Sequence, residues 1–205
     1  MTGVLVRPAT RTDADQVTEL ITDTPGGLPD ILGSRKGALR ILRKVFLTPG
    51  SLFGFPHTLV AEADGTVVGE MVRLPGSLWK RLRWRTGLGM LIGTGPREAW
   101  RLLWRGSLAG RAMAPIPADV LYVVSLSVAA AKRGQGIGAG LLANAVEEAR
   151  AAKLRAVALD VAFSNDGALR FYLRQGFSTL SERHHRMAGG VPAGGSIRME
   201  RRISG

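Results

Sequence analysis

Val128-Ala129-Ala130-Ala131-Lys132-Arg133-Gly134-Gln135-Gly136-Ile137-Gly138-Ala139 is the stretch on which the reading of this chain turns. An apolar, β-branched run from Leu121 to Val128 enters it. A helical pattern leaves it, Ala139 to Ala152, with Leu142, Ala145, Val146 and Ala149 on one face. Glycines at alternate positions let the backbone approach a ligand closely, and free N–H groups at a helix start bind phosphate oxygens. Lys132 and Arg133 add positive charge beside them. The stretch predicts a phosphate or pyrophosphate ligand at a strand–loop–helix junction.

Two signatures share these letters. Gly134-x-Gly136-x-x-Ala139 satisfies the dinucleotide fingerprint, and Asp160 ends the next strand about 20 residues on, where that fold places an acid. Three observations oppose it. Only 66 residues follow Ala139, and five residues separate Val128 from Gly134. A hairpin also precedes the unit where a parallel sheet is required: Thr58–Glu62 and Thr66–Val72 flank the turn residues Ala63-Asp64-Gly65.

Working outward, Val4 to Arg7 reads as a first strand. Thr12-Asp13-Ala14-Asp15 starts a helix with Val17, Leu20 and Ile21 at helical spacing, and Thr24-Pro25-Gly26-Gly27 stops it. Leu39, Leu42, Val45 and Phe46 mark an amphipathic helix within residues 31–47. On the C-terminal side, Ala156–Val161 is a strand, Asp166–Gln175 a helix, and Gly176-Phe177 opens another strand. A Gly/Pro loop at 188–195 leads to a last strand, Ile197–Ile203. The whole of 1–205 reads as one domain, with a basic, tryptophan-rich helical insertion at 75–117.

Composition narrows the chemistry. There is no cysteine, which excludes disulfides, cysteine-ligated zinc and a cysteine nucleophile. No run of 18 apolar residues is present, and Met1 to Pro8 reads as a strand opening, so a cytoplasmic protein is the expectation. The net charge is +12. Between Pro75 and Pro115 stand Lys80, Arg81, Arg83, Arg85, Arg97, Arg101, Arg105 and Arg111 against the single acid Glu98. Such an excess favours anionic partners, while no helix-turn-helix or RNA-binding motif supports nucleic acid.

Arg133-x-x-Gly136-x-Gly138 resembles the (Q/R)-x-x-G-x-(G/A) pyrophosphate loop of the GNAT (Gcn5-related) N-acetyltransferase superfamily. Ser125-Leu126-Ser127-Val128 precedes it, similar to that family's L-A-V strand. Asn165-x-x-Ala168-x-x-x-Tyr172-x-x-x-Gly176-Phe177 follows at the family's spacing. The resemblance is strong over Val120–Ser181, reasonable over the Thr58–Leu74 hairpin and loose over Val4–Ile21. It implies an α+β fold, a mixed and mostly antiparallel sheet flanked by helices. It also implies transfer of an acetyl group from acetyl-CoA to an unidentified amine acceptor, without a metal. By the same resemblance Leu126, Ser127 and Val128 would lie along the pantetheine. The loop Arg133, Gly134, Gln135, Gly136, Ile137, Gly138 and Ala139 would hold the pyrophosphate, and Asn165 would contact the cofactor or cap its helix. Tyr172 would protonate the departing thiolate; a phenol near pKa 10 suits that task.

The family's usual base positions, two and four residues before Leu126, are Val124 and Tyr122 here, and neither is a base at neutral pH. Water, Glu70, His57 or the His184–His185 pair remain for that role. With no cysteine to carry the acyl group, direct attack in a ternary complex is the expected mechanism. The missing strand base also keeps open a catalytically silent, CoA-binding module that meets a membrane surface or other anionic partner through its insertion. For the insertion itself three accounts stand. Its tryptophans pack it onto the sheet while its arginines face water. Or it forms a lid over the acceptor cleft or a subunit contact, as in a homodimer. Or it is an interfacial surface for anionic lipid.

Overall fold

The computed structural model describes residues 3–23, 34–92, 94–97, 99–100, 115–186 and 192–203. Seven strands, β1 (Leu5–Pro8), β2 (Thr58–Ala63), β3 (Thr66–Pro75), β4 (Val120–Val128), β5 (Ala156–Ala162), β6 (Ser178–Arg186) and β7 (Pro192–Arg202), form one sheet in the order β1-β2-β3-β4-β5-β7-β6. Every neighbouring pair is antiparallel except β4–β5. Helices α1 (Ala14–Thr22), α2 (Arg35–Phe46), α3 (Gly76–Leu91), α4 (Ile137–Ala151) and α5 (Asp166–Arg174) flank it. This is the α+β architecture that the sequence predicts.

Local chemistry explains the element boundaries. The Asp64-Gly65 pair has φ of 52° and 73°, a two-residue turn that matches strand twist, so Ala63 belongs to β2 and pairs with Thr66. Thr10 N–H and hydroxyl both donate to Asp13, at 2.7 and 2.9 Å, closing the entry to α1. The Ser34 hydroxyl caps α2 by accepting from Gly37 N–H at 3.1 Å. Thr24-Pro25-Gly26-Gly27 lies outside the described residues.

Two layers of core follow from side-chain alternation. On one face α4 buries Leu141, Leu142, Ala145, Val146 and Ala149 against Leu121, Val123, Val157, Leu159 and Met199. On the other, Val17, Ile21, Leu42 and Phe46 from α1 and α2 cover Val60, Val67 and Val72. Burying each of the Val, Leu, Ile, Phe and Met side chains among them is worth roughly 1.5–3 kcal/mol, so these two layers dominate the stability. α3 joins the second face, where Trp79 and Leu82 pack on Val120, Tyr122, Ala156 and Ala158.

The structure amends the sequence reading in two places. β7 begins at Pro192, not Ile197: Arg186 pairs with Pro192 and His184 with Gly195, so strand pairing overrides the Gly/Pro composition over 192–195, while 188–191 of the predicted 188–195 loop lie outside the described residues. Pro192 is the first residue of its strand, where a missing N–H is tolerated. In the insertion, whose first helix runs Gly76–Leu91, the tryptophans divide. Trp79 packs inward as the packing account requires, but Trp84 is 82% and Trp100 67% exposed, so those two do not hold the segment to the sheet. Further along, a helical turn begins at Pro96, with Ala99 N–H donating to the Gly95 carbonyl at 2.9 Å. Residues 101–114 of the insertion lie outside the described residues.

Candidate active site

The site begins with a fork in the sheet. β4 stays paired to β3 as far as Val128, opposite Gly69, but its pairing with β5 ends at Val123–Leu159. Val72 pairs with Ser125 and Arg73 with Val123, which leaves Val124 as an extra residue in β4. Such a bulge bends its strand and raises its twist, a physical cause for the divergence from β5. It also reverses side-chain parity: Leu121 and Val123 face α4 before it, Leu126 and Val128 after it.

Backbone polarity along the fork follows from the ladder. Ala129 N–H donates to the Val68 carbonyl at 2.9 Å. In an antiparallel pair such bonded positions alternate, so Ser127 and Ser125 turn their backbone groups to β3, and Leu126 and Val128 turn theirs toward the diverging β5. Leu126 and Val128 are the two positions expected to offer backbone groups to a pantetheine arm. The Arg133 side chain reaches back to this edge, its Nε donating to the Val128 carbonyl at 3.1 Å.

At the open end of the fork stands the glycine loop. Gly134 and Gly136 adopt φ of 77° and 81°, left-handed values that other residues adopt only with strain. Gly136 is the N-cap of α4 and has no side-chain cap. The helical ladder starts with Gly140 N–H on the Gly136 carbonyl at 2.9 Å, so the N–H groups of Ile137, Gly138 and Ala139 precede it. A Cβ built on Gly134 or Gly136 would meet nothing within 4 Å, so the loop is open at both positions. These features fit a pyrophosphate. Gln135 is exposed, its amide donating to the Ala131 carbonyl at 3.3 Å. Asn165 caps α5 by accepting from Ala168 N–H at 3.0 Å, so the capping role is present, and its side chain is exposed.

Tyr172, on α5, is buried between Phe171 and Phe177, with ring centroids at 5.2 and 5.6 Å. Among the described residues none hydrogen-bonds its hydroxyl. Burial, then the Glu70 charge, pushes its pKa up to about 12.

Glu70 is the residue whose environment the sequence least disclosed. Its β3 neighbour Gly69 faces Ile137 and Leu141 of α4, so Glu70 points to the opposite side, shared with α1, α2 and α3. It is fully buried. The Ser125 hydroxyl donates to Oε1 at 2.8 Å, while Oε2 is buried without a partner. Loss of hydration pushes its pKa up to about 7, against the opposing pull of hydrogen bonds from Ser125 and Ser127. A sequence signal existed: a carboxylate inside a strand that reads apolar on both faces. The remaining base candidates fare worse. His57 is half-buried, and burial, then Arg73, holds its pKa below the usual value. His184 is exposed on β6 with its ring against Phe163 at 5.0 Å; the His185 side chain lies outside the described residues. Tyr122 is occupied, donating to Asp160 at 2.9 Å, and burial raises its pKa further.

Sequence reasoning also missed a buried cluster beside the fork. Arg198 Nη2 donates to Asp160 at 2.9 Å and its Nη1 to the Pro115 carbonyl at 3.2 Å, and its guanidinium stacks over the Tyr122 ring at 5.4 Å. Asp160, the acid of the rejected dinucleotide reading, is thus committed to an ion pair. Among the described residues no group of three or more His, Cys, Asp or Glu side chains is placed to hold a metal, and no helix is long and apolar enough to cross a membrane.

Comparison with known proteins agrees with this geometry. A family model described as the Acetyltransferase (GNAT) family matches residues 49–177. Among solved structures the chain resembles an acetyltransferase at 23% identity and TM-score 0.64, covering 98% of this chain and 100% of the other. It resembles an N-acetyltransferase from Staphylococcus aureus Mu50 at 16% identity and TM-score 0.67, covering 96% and 99%. It also resembles the ribosomal-protein-S18-alanine N-acetyltransferase from Escherichia coli at 14% identity and TM-score 0.57, covering 99% and 96%. No curated protein matches it in sequence.

Proposed function

This chain belongs to the GNAT acetyltransferase family, and on that premise we propose that it moves an acetyl group from acetyl-CoA to an amine by direct attack in a ternary complex. The observation that carries the reading is the fork: β4 keeps β3 to Val128 and leaves β5 after Val123, opening a slot that ends at the uncapped glycine nest. In this reading the nest takes the pyrophosphate, with Lys132 and Arg133 beside it, and the outward backbone groups of Leu126 and Val128 line the slot. A backbone N–H there would polarise the thioester carbonyl as it gains negative charge.

Glu70 is the base in this proposal and Tyr172 the acid. The amine nitrogen loses its proton to Glu70 as the N–C bond forms. The C–S bond then breaks, and Tyr172 gives its proton to the leaving sulfur. The products are the amide and CoA thiol, and the proton on Glu70 returns to Tyr172 through solvent. The two groups are electrostatically linked, because the Glu70 charge is one cause of the high Tyr172 pKa. Neutralising Glu70 in the first step strengthens Tyr172 as an acid in the second. A base on β3 also removes the ground for the silent-module reading, which rested on Val124 and Tyr122 being unable to act.

Release of thiol from acetyl-CoA, followed against a panel of polyamine, amino-acid, peptide N-terminal and lysine acceptors, tests the assignment. Turnover on one amine class with one amide formed per thiol supports it. Tight CoA binding with no turnover on any class would return the silent module to first place.

A further inference from the structure

We propose that the outer face of α3 docks on a bilayer that carries anionic headgroups. The inner face of this helix is already used: Gly76, Trp79, Leu82 and Thr86 are buried, and Trp79 meets the Tyr122 ring edge-on at 5.2 Å. The opposite face is apolar too. Trp84 is 82% exposed, Leu88 62% and Ile92, at the end of the helix, 59%. Residues four apart share one side of a helix, so these three form a single stripe roughly 12 Å long. A helix with one buried and one exposed apolar stripe has a second surface to satisfy.

Charge identifies the occupant. Lys80, Arg81, Arg83 and Arg85 are exposed around the stripe, and α3 contains no acid. Among the described residues none of the four is in an ion pair. A second copy would bring the same four cations face to face, in a chain already at +12. A phosphate backbone would satisfy the cations and leave Leu88 and Ile92 without a partner. An anionic bilayer takes both: indole and aliphatic groups enter the headgroup boundary while lysine and arginine reach up to lipid phosphates. α3 covers the face of the sheet that carries Glu70, so docking turns that face toward the membrane.

Co-sedimentation of the full chain with phosphatidylcholine vesicles, with and without phosphatidylglycerol, tests the proposal. Wild type partitions onto the anionic vesicles only, and high salt weakens it. The variant K80Q/R81Q/R83Q partitions on the order of 10²-fold less, since each cation near such a surface counts for about fivefold. Arg85 is left in place because its guanidinium lies against Gly50. The variant W84S/L88S also partitions less, and a blue shift of tryptophan emission on binding is absent from Trp84→Phe. All five side chains point to water, so circular dichroism of both combined variants matches wild type. The proposal fails if wild type ignores anionic vesicles or binds neutral ones equally, or if both combined variants bind as wild type does. A dimer in light scattering that W84S/L88S abolishes would instead give the stripe to a second copy. Preference for polyglutamate over vesicles would give it to an acidic protein.

Discussion

The Ser125 hydroxyl donates a 2.8 Å hydrogen bond to Glu70 Oε1 across the β3–β4 ladder, on the stretch where β4 has already left β5. This bond ties a buried carboxylate to the edge of the slot. It stabilises the charged form of Glu70 against burial. Ser125→Ala therefore raises the Glu70 pKa, and the acidic limb of kcat/KM against pH moves to higher pH by about one pH unit. In wild type that limb lies near pH 7, and Glu70→Gln removes it and lowers kcat by roughly 10²–10⁴-fold. Profiles of the three proteins on one acceptor check this. A Ser125→Ala limb that stays in place would detach Glu70 from the proton transfer.

Glu70 also sets a slope in stability. Its carboxyl titrates near 4.5 in the unfolded chain and near 7 when folded, so between these values the folded state binds the proton more tightly. Stability is then highest below the lower value and falls as pH rises to the upper one, by a few kcal/mol. His57, whose pKa is lowered on folding, gives the opposite slope below its usual 6.5. Comparing Tm of wild type with Glu70→Gln cancels His57. The expected result is a variant that gains on wild type steadily from pH 4.5 to 7 and not beyond. Asp13, held near 2 chiefly by Arg7, loses its contribution only below 3.8 and leaves this window untouched.

Tyr172→Phe keeps the ring packing against Phe171 and Phe177 and removes only the hydroxyl. If that hydroxyl protonates the leaving sulfur, kcat falls by roughly 10²–10⁴-fold with acetyl-CoA affinity nearly intact. A more acidic thiol leaving group should recover much of the loss. Activity within a factor of two or three would reduce Tyr172 to a packing residue.

Gly136→Asp meets two penalties at once. Its φ of 81° strains any side chain, and the new negative charge at the helix N-cap repels an anion held by the N–H groups of α4. Strain lowers the folding stability by an amount on the order of 1 kcal/mol, read as a lower Tm, while calorimetric titration should find acetyl-CoA binding lost. Gly136→Ala carries the strain without the charge and should bind weakly but measurably. Equal affinity in all three proteins would remove the pyrophosphate from this loop.

Much of this protein is determined by local sequence. Gly134 and Gly136 mark left-handed backbone because other residues adopt it only with strain. Asp64-Gly65 dictates its hairpin for the same reason, and Leu142, Ala145, Val146 and Ala149 mark the inward face of α4 by their period alone. Tyr172 and Asn165 were singled out by the resemblance to the family, not by their own chemistry; in the structure Tyr172 lies on α5 and Asn165 caps its start. What only the tertiary structure decided depends on pairings between distant segments. The fork requires knowing that β4 leaves β5 at Val123, and the bulge at Val124 that accompanies it is a register between strands, which leaves no mark in either strand alone. Pro192–Gly195 reads as loop until β6 supplies its partners. Trp79 and Trp84 are indistinguishable in sequence, yet one is buried and the other faces water. Glu70 shows the reason most directly. Its chemistry is that of any glutamate until β2, β4 and the helices close over it, and a pKa depends on the hydration that those distant segments take away.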